Sequence, residues 1–279
     1  MWKVLVNSKK RFIACPPIFA YNMKWKNLEK KDEKHMIRFI LTCIVVIGFL
    51  VLSIPVLIAE WIIGKFSPQT RDSSSLKIVL AVFRLCMRTT GSTVAVIGEE
   101  NVPRDTPVLY IANHRSFFDV LLTYVRVPRC TGYIAKYEMK NIPLLNCWMR
   151  YLHCIFLNRE NIRQGMKSIL EAAEEIKNGV SICIFPEGTR TKDTAETEML
   201  PFHKGSFKIA SKAKCPIVPI ALTGTSAIFE DHLPLIKPAH VILEYGKPIY
   251  PDTLDKEDQK NLERYTQDVI LEMLRKNQQ

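Results

Sequence analysis

Two residues of this chain, His114 and Asp119, have side chains suited to proton transfer and lie five positions apart, directly after the apolar run 108–112. An imidazole can take a proton from an alcohol while a neighbouring carboxylate fixes its tautomer and stabilises the imidazolium. If Ser116 caps a helix that begins here, Asp119 lies in its first turn, with its Cβ tilted back toward His114. The spacing therefore predicts a general-base pair. The alternative is that Ser116 and Asp119 form only a capping box and that His114 is an ordinary turn residue.

A second polar motif follows the apolar run 182–185 and has the sequence Pro186-Glu187-Gly188-Thr189-Arg190. Gly188 lets a ligand approach the backbone closely, and the planar guanidinium of Arg190 suits a phosphate group. Glu187 can orient either a hydroxyl group or Arg190 itself. The motif therefore indicates a site for a phosphorylated ligand, and the alternative is a turn with a surface ion pair.

Both motifs follow predicted strands in a chain whose strand-like and helix-like stretches alternate from residue 93 onward. This alternation predicts an α/β domain with a mixed, largely parallel sheet flanked by helices, in which ligands bind at the carboxyl ends of strands. The predicted strands are 108–112, 132–135, 155–157, 182–185, 217–222 and 241–245. The predicted helices are 117–126, an amphipathic helix over 162–176, 206–213 and 256–276.

The N-terminal part of the chain differs in composition from the rest. The protein has 279 residues, 47% of them hydrophobic, and a formal net charge of +11. Residues 1–36 form a basic arm with nine Lys or Arg and three acidic residues, and an uncharged apolar run follows at 39–59. Because the arm leads directly into that run, its expected partner is an anionic membrane surface and not nucleic acid.

The uncharged run is long enough to cross a bilayer, since 21 residues in a helix extend ~31 Å. A single crossing with the basic arm inside would place the remaining chain on the outer side. Pro55 lies within the run, and Lys77, Arg84 and Arg88 mark one face of a later amphipathic helix. We therefore expect residues 37–92 to form a two-helix element embedded in one leaflet, with the arm and a catalytic domain at 93–279 both in the cytosol.

The eight cysteines form no CxxC pair and no Cys/His spacing that suits zinc. This pattern predicts a reduced, cytosol-facing domain without a metal site.

Four blocks of the sequence occur together in a known family. They are Asn113-His114-Arg115-Ser116-Phe117-Phe118-Asp119, then 155–159, then Phe185 with the second motif, then 215–220. In this order the blocks resemble those of the glycerolipid acyltransferases, and among them the 1-acylglycerol-3-phosphate acyltransferases. Two positions depart from the common pattern of the family, with Asn158 in place of Asp and Arg115 in place of Gln. These departures affect the acceptor assignment and remove no catalytic group.

The resemblance implies transfer of an acyl chain from acyl-CoA or acyl-carrier protein to the sn-2 hydroxyl of lysophosphatidic acid, giving phosphatidic acid. His114 would be the general base, and Asp119 would orient it. The residues implied to hold the glycerol phosphate are Arg159, Glu187, Gly188, Thr189 and Arg190, with Lys136 as a weaker candidate. No metal or other cofactor is implied, and the enzyme would lie at a bacterial inner membrane or at the endoplasmic reticulum.

Three alternatives to this function stay open. The acceptor can be acyl-dihydroxyacetone phosphate, glycerol 3-phosphate or a lysophospholipid with a head group. Water can replace the alcohol, which would make the protein a thioesterase. The chain can also be a catalytically silent membrane protein that binds lysolipid, although intact His114, Asp119 and Arg190 count against this.

The predicted helix near 206–213 carries one stripe of three lysines at helical spacing, Lys204, Lys208 and Lys212. Such a stripe can be a solvated face. It can also contact an acidic carrier protein, the phosphates of coenzyme A or anionic lipid.

Overall fold

The computed structural model describes residues 30–192 and 194–279, with side chains from residue 32. Most of the basic arm predicted at 1–36 therefore lies outside the described residues. The remaining chain forms an N-terminal helical segment, which leads into a seven-stranded sheet with helices on both faces.

The N-terminal segment contains three helices, α1 (Lys30–Leu52), α2 (Ile54–Phe66) and α3 (Pro68–Thr90), and so differs from the two-helix element expected at 37–92. Pro55 lies at the start of α2, where its missing N–H and its ring separate α2 from α1. The polar stretch 67–75 that follows α2 is helical from Pro68 onward. Ser67 separates the two helices and caps α3 by accepting a hydrogen bond from the Thr70 N–H (3.3 Å).

The three helices pair as a hairpin in which α1 and α2 form one arm and α3 the other. Near its open end, the hydroxyl groups of Thr42 and Thr89 are 2.6 Å apart. Near its closed end, the Ser74 hydroxyl donates to Glu60 (2.8 Å). The stretch Asp32–Leu52 has a mean hydropathy of 2.4 and is almost entirely unburied, so it is long and apolar enough to cross a membrane.

The sheet confirms the mixed, largely parallel α/β architecture. Its strand order is β1-β7-β6-β2-β5-β3-β4, and among these described strands only β6 and β7 pair antiparallel. The strands are β1 (Thr93–Ile97), β2 (Leu109–Ala112), β3 (Thr131–Lys136), β4 (Ile155–Leu157), β5 (Ser181–Ile184), β6 (Ile217–Thr223) and β7 (His240–Tyr245). The carboxyl ends of β2 to β6 therefore meet at one edge of the sheet.

Helices pack on both faces of the sheet around two apolar cores. One face is covered by α1 to α5 and the other by α6, α7 and α9. The remaining helices are α4 (Phe118–Tyr124), α5 (Leu145–Tyr151), α6 (Ile162–Lys177), α7 (Lys204–Ala213), α8 (Lys256–Lys260) and α9 (Leu262–Lys276). Strand β1 and helix α5 are additions to the predicted elements, and the predicted C-terminal helix is divided into α8 and α9.

His153 joins the N-terminal helices to the sheet domain. Its ring nitrogens bond to Asp72 of α3 (2.9 Å) and Glu175 of α6 (2.8 Å). Arg71 also pairs with Asp72 (2.7 Å) and stacks on Tyr151. The bonds to Asp72 and Glu175 raise the pKa of His153 from 6.5 to about 9. Because this pKa is raised on folding, the stabilisation is complete below about pH 6.5 and is lost as the pH rises through about 9.

We expect His153→Gln to lower the free energy of unfolding by about 2–3 kcal/mol at pH 6.5, since the variant leaves two half-buried carboxylates without their shared cation. The difference from wild type should shrink as the pH rises through about 9. Denaturant unfolding of the full chain in detergent at several pH values measures this. A difference that stays constant from pH 6.5 to 10 would show that His153 acts through packing alone.

Candidate active site

The structure brings His114 and Asp119 together at the carboxyl end of β2. The Nδ1 atom of His114 lies 2.8 Å from Oδ2 of Asp119. The carboxylate is fully buried, while the imidazole is partly exposed and stacks on Phe185 with ring centroids 4.2 Å apart. With a proton on Nδ1, the Nε2 atom keeps its lone pair, and it makes no hydrogen bond with any residue that the structure describes. His114 therefore has a nitrogen available to accept a proton.

The same carboxylate also closes the turn that leads into α4. Oδ2 of Asp119 accepts the N–H groups of Arg115 and Ser116, both at 2.7 Å. The Ser116 hydroxyl accepts the N–H of Phe118 (3.0 Å). The capping role and the pairing with His114, posed as alternatives from the sequence, are thus both performed by Asp119.

Glu187 ties the second motif to the first. Its carboxylate accepts the backbone N–H of His114 (2.6 Å), the N–H of Leu200 (3.0 Å) and the hydroxyl of Thr191. Burial raises the pKa of Glu187, and these hydrogen bonds oppose that shift. Both oxygens are occupied within the protein, so the geometry favours a positioning role for Glu187 over the substrate contact that the resemblance implied.

Arg190 has a protein partner that the sequence did not indicate. Its guanidinium donates to Glu230 (2.8 Å) and stacks 3.6 Å over the ring of Phe117. The same oxygen of Glu230 accepts the Phe117 N–H (2.7 Å) at the start of α4. Glu230 lies in a short 3-10 turn far from both motifs in sequence, and no local pattern points to it.

Arg159 follows β4 and is exposed, and no ion pair to another described residue neutralises it. Gly188 has φ +77°, and a Cβ there would lie 3.2 Å from Nη1 of Arg159 and 3.1 Å from Nε2 of His203. Gly188 therefore allows Arg159 and His203 to approach the backbone of the second motif. His203 is a further residue of this site that no sequence motif indicated.

The two other residues implied to bind phosphate are Lys136 and Thr189, and neither side chain forms a hydrogen bond with another described residue of the site. Lys136 ends β3 beside Leu157 of β4, so it lies on the strand next to the one that Arg159 follows. Its exposed Nζ atom pairs with Glu138 (3.0 Å). Thr189 is exposed and makes no side-chain hydrogen bond with a described residue.

Arg115, one of the two departures from the family pattern, is buried. Its guanidinium donates to the carbonyl oxygens of Thr194 (2.6 Å), Ala195 (3.0 Å) and Glu198 (3.2 Å). Arg115 therefore holds residues 194–198 in place and does not face a substrate.

Asn113 fixes the other side of the first motif, because its side-chain amide exchanges two hydrogen bonds with the backbone of Leu222 in β6 (2.8 and 2.9 Å). Within the described residues, no group of three or more His, Cys, Asp or Glu side chains is placed to hold a metal ion. The arrangement suits general-base activation of a hydroxyl group beside exposed Arg159, a cation for an anionic ligand.

Comparison with known proteins identifies similar sequences and a similar solved structure. Residues 93–223 match the acyltransferase family model. The chain is 35% identical over 169 residues to a 1-acyl-sn-glycerol-3-phosphate acyltransferase from Saccharomyces cerevisiae, covering 60% of this chain and 55% of the relative. It is 28% identical over 253 residues to a probable enzyme of the same name from Mycoplasma pneumoniae, covering 84% and 93%. The chain spans about half the length of the yeast and coconut relatives it matches.

The fold is shared with a solved structure, the 1-acyl-sn-glycerophosphate acyltransferase PlsC from Thermotoga maritima. The TM-score is 0.74 at 25% identity, over 88% of this chain and 98% of that one. The matched model, the relatives and the common fold confirm the resemblance found in the sequence motifs. Through residues 93–223, the chain is therefore similar to the acyltransferase family.

Proposed function

We propose that this protein transfers an acyl group from a thioester donor to the sn-2 hydroxyl of lysophosphatidic acid, giving phosphatidic acid. The observation that carries the proposal is the 2.8 Å contact between His114 and buried Asp119, which leaves Nε2 of the imidazole available as a base. The acceptor is supported by the names of the matched relatives.

The reaction then proceeds by general-base catalysis at His114. Nε2 takes the proton of the sn-2 hydroxyl as its oxygen attacks the thioester carbonyl carbon, and Asp119 stabilises the imidazolium that forms. When the tetrahedral intermediate collapses, the carbon–sulfur bond breaks and the thiolate takes the proton from His114. A thiolate is already a good leaving group, so the proposal needs only the donor, acyl-CoA or acyl-carrier protein, and no further cofactor.

The acceptor phosphate is held chiefly by Arg159 in this proposal. Arg159 forms no ion pair within 4 Å with a described residue, and it lies beside the backbone of Gly188. Arg190 is already paired with Glu230 and covered by Phe117. The positive charge of Arg190 therefore adds to the attraction of the site for a phosphate group. Its ion pair with Glu230 secures the start of α4.

We expect His114→Ala to lower kcat by about 10²- to 10⁴-fold without unfolding the protein, because it removes the base. Asp119→Asn should cause a smaller loss, since it keeps the shape but not the charge. Purified protein is incubated with labelled acyl-CoA or acyl-carrier protein and a panel of lysolipids, and the products are identified. His240→Ala, at the exposed start of β7, is the matched control. Near wild-type turnover in His114→Ala would disprove the mechanism.

Arg159→Ala should raise the KM for lysophosphatidic acid by roughly 10- to 100-fold, with little change in the KM for the donor, since only the acceptor phosphate loses a bidentate partner. Arg159→Lys should restore part of the affinity. Arg190→Ala should raise the same KM and also lower kcat, because it leaves Glu230 unpaired beside the start of α4. Steady-state kinetics with each substrate varied in turn separates these effects. Equal increases in both KM values for Arg159→Ala would contradict phosphate binding.

We also propose that α1 to α3 embed in one leaflet of a bacterial inner membrane or the endoplasmic reticulum, with the active site facing the cytosol. The support is the row of exposed apolar side chains on α1 and α2, which includes Ile44, Ile47, Leu52, Ile58 and Trp61. Pro55 and the hairpin pairing of α3 with the other two helices agree with a segment that enters and returns on the same side.

In sealed vesicles, cysteines placed at Ser8 and at exposed Lys192, in a background without the native cysteines, should react with an impermeant maleimide from the same side. The reason is that a hairpin returns the chain to the leaflet that it entered. Right-side-out and inverted vesicles are compared, with detergent-opened vesicles as the control for total labelling. Labelling of the two sites from opposite sides would establish a single crossing.

A further inference from the structure

An apolar stripe on α6 is left exposed. The sequence predicted an amphipathic helix here, and Ile169, Ala173 and Ile176 are buried as that pattern requires. Three large apolar side chains of the same helix are not, and they recur every four residues: Ile162 is 87% exposed, Met166 41% and Leu170 49%. Helical periodicity places these three along one flank of α6.

That flank lies away from the edge strand β4. Ser168, on the other flank of α6, donates to the carbonyl of Phe156 in the edge strand β4 (3.1 Å). Since α6 packs against α7 on the same face of the sheet, the stripe of Ile162, Met166 and Leu170 borders the space between the two helices.

The surface around the stripe is basic. Arg163 and Lys167 are exposed on α6, and Lys208 and Lys212 are exposed on α7. The acidic residues of α6 all lie C-terminal to the stripe, at Glu171, Glu174 and Glu175. The four cations form no ion pair with a described residue. Lys204, which the sequence placed in the same lysine stripe, instead pairs with Glu263 of α9 (3.4 Å).

The stripe and the cations adjoin the active site. Helix α6 begins three residues after Arg159, and α7 begins directly after His203, whose ring lies beside Gly188. A partner bound at α6 and α7 would therefore lie close to Arg159 and His203.

We propose that the surface formed by Ile162, Met166 and Leu170 with Arg163, Lys208 and Lys212 is the docking site for an acidic acyl-carrier protein. This inference rests on the proposed function and names its donor. The cations complement an acidic partner, while the stripe needs an apolar surface to cover it, which the phosphates of free coenzyme A do not supply. A membrane fits less well, because the apolar helices α1 and α2 lie on the opposite face of the sheet.

The test compares donors with the full chain in detergent at saturating lysophosphatidic acid. The variant Lys208→Glu/Lys212→Glu should raise the KM for acyl-carrier protein by at least about tenfold, a loss of roughly 1.4 kcal/mol. Its kcat, its KM for acyl-CoA and its KM for the acceptor should stay near wild type. Leu170→Ser should also raise the KM for acyl-carrier protein. Because this variant changes no charge, such a rise would separate docking from simple charge steering. Lys247→Glu/Lys256→Glu makes the same change in net charge away from α6 and α7 and should have no effect.

Direct binding is measured in parallel by fluorescence anisotropy of a labelled carrier protein, and it should weaken in the first variant and with added salt. Wild-type transfer from acyl-CoA alone, with no carrier binding, would overturn this proposal and leave the proposed function intact. An equal rise in KM for both donors would instead indicate coenzyme A phosphate binding, and loss of vesicle binding alone would indicate a membrane contact. Either result would overturn the docking site. Absence of product from both donors would overturn the proposed function, while the binding measurement would still test the surface.

Discussion

The carboxylate of Asp119 is fully withdrawn from water, and a buried charge of this kind is tolerated only where hydrogen-bond donors surround it. One of its oxygens meets three donors: the N–H groups of Arg115 and Ser116 and the ring of His114. Any relaxation of the turn would leave the charge less well solvated, at a cost of about 1–3 kcal/mol or more for each lost donor. A single oxygen atom therefore contacts the turn before α4 and the imidazole at the same time.

The neighbouring strands secure this turn from both sides. Asn113 binds the backbone of β6, and Glu187, which follows β5, accepts the N–H of His114. Arg115 extends the arrangement to residues 194–198, and Glu230 joins Arg190 to the start of α4. The imidazole of His114 is thus held by elements that are distant in sequence, which is the preorganisation that the proposed general-base catalysis requires.

The sequence was sufficient for features that follow from local pattern. The alternation of apolar runs identified six of the seven strands, and the His114–Asp119 spacing predicted a contact that the structure confirms. The sequence was insufficient for features that depend on contacts between residues distant in the chain. Nothing near Glu230 signals that its carboxylate meets Arg190, and helical periodicity alone does not reveal that Ile162 is exposed while Ile169 is buried. The division of α1 from α2 follows from Pro55, whereas the start of α3 within a polar stretch depends on the cap at Ser67.

The central claim is that Asp119 holds His114 in the tautomer that leaves Nε2 free to accept a proton. Nitrogen-resolved NMR of the ¹⁵N-histidine-labelled protein measures this directly, with the His114 signals assigned by their absence from a His114 variant. We expect a hydrogen-bonded proton on Nδ1, lost or strongly shifted in Asp119→Asn, and an Nε2 resonance typical of an unprotonated ring nitrogen. A neutral ring with its proton on Nε2 would contradict the account, because that nitrogen would then have no lone pair with which to take the proton of the acceptor hydroxyl.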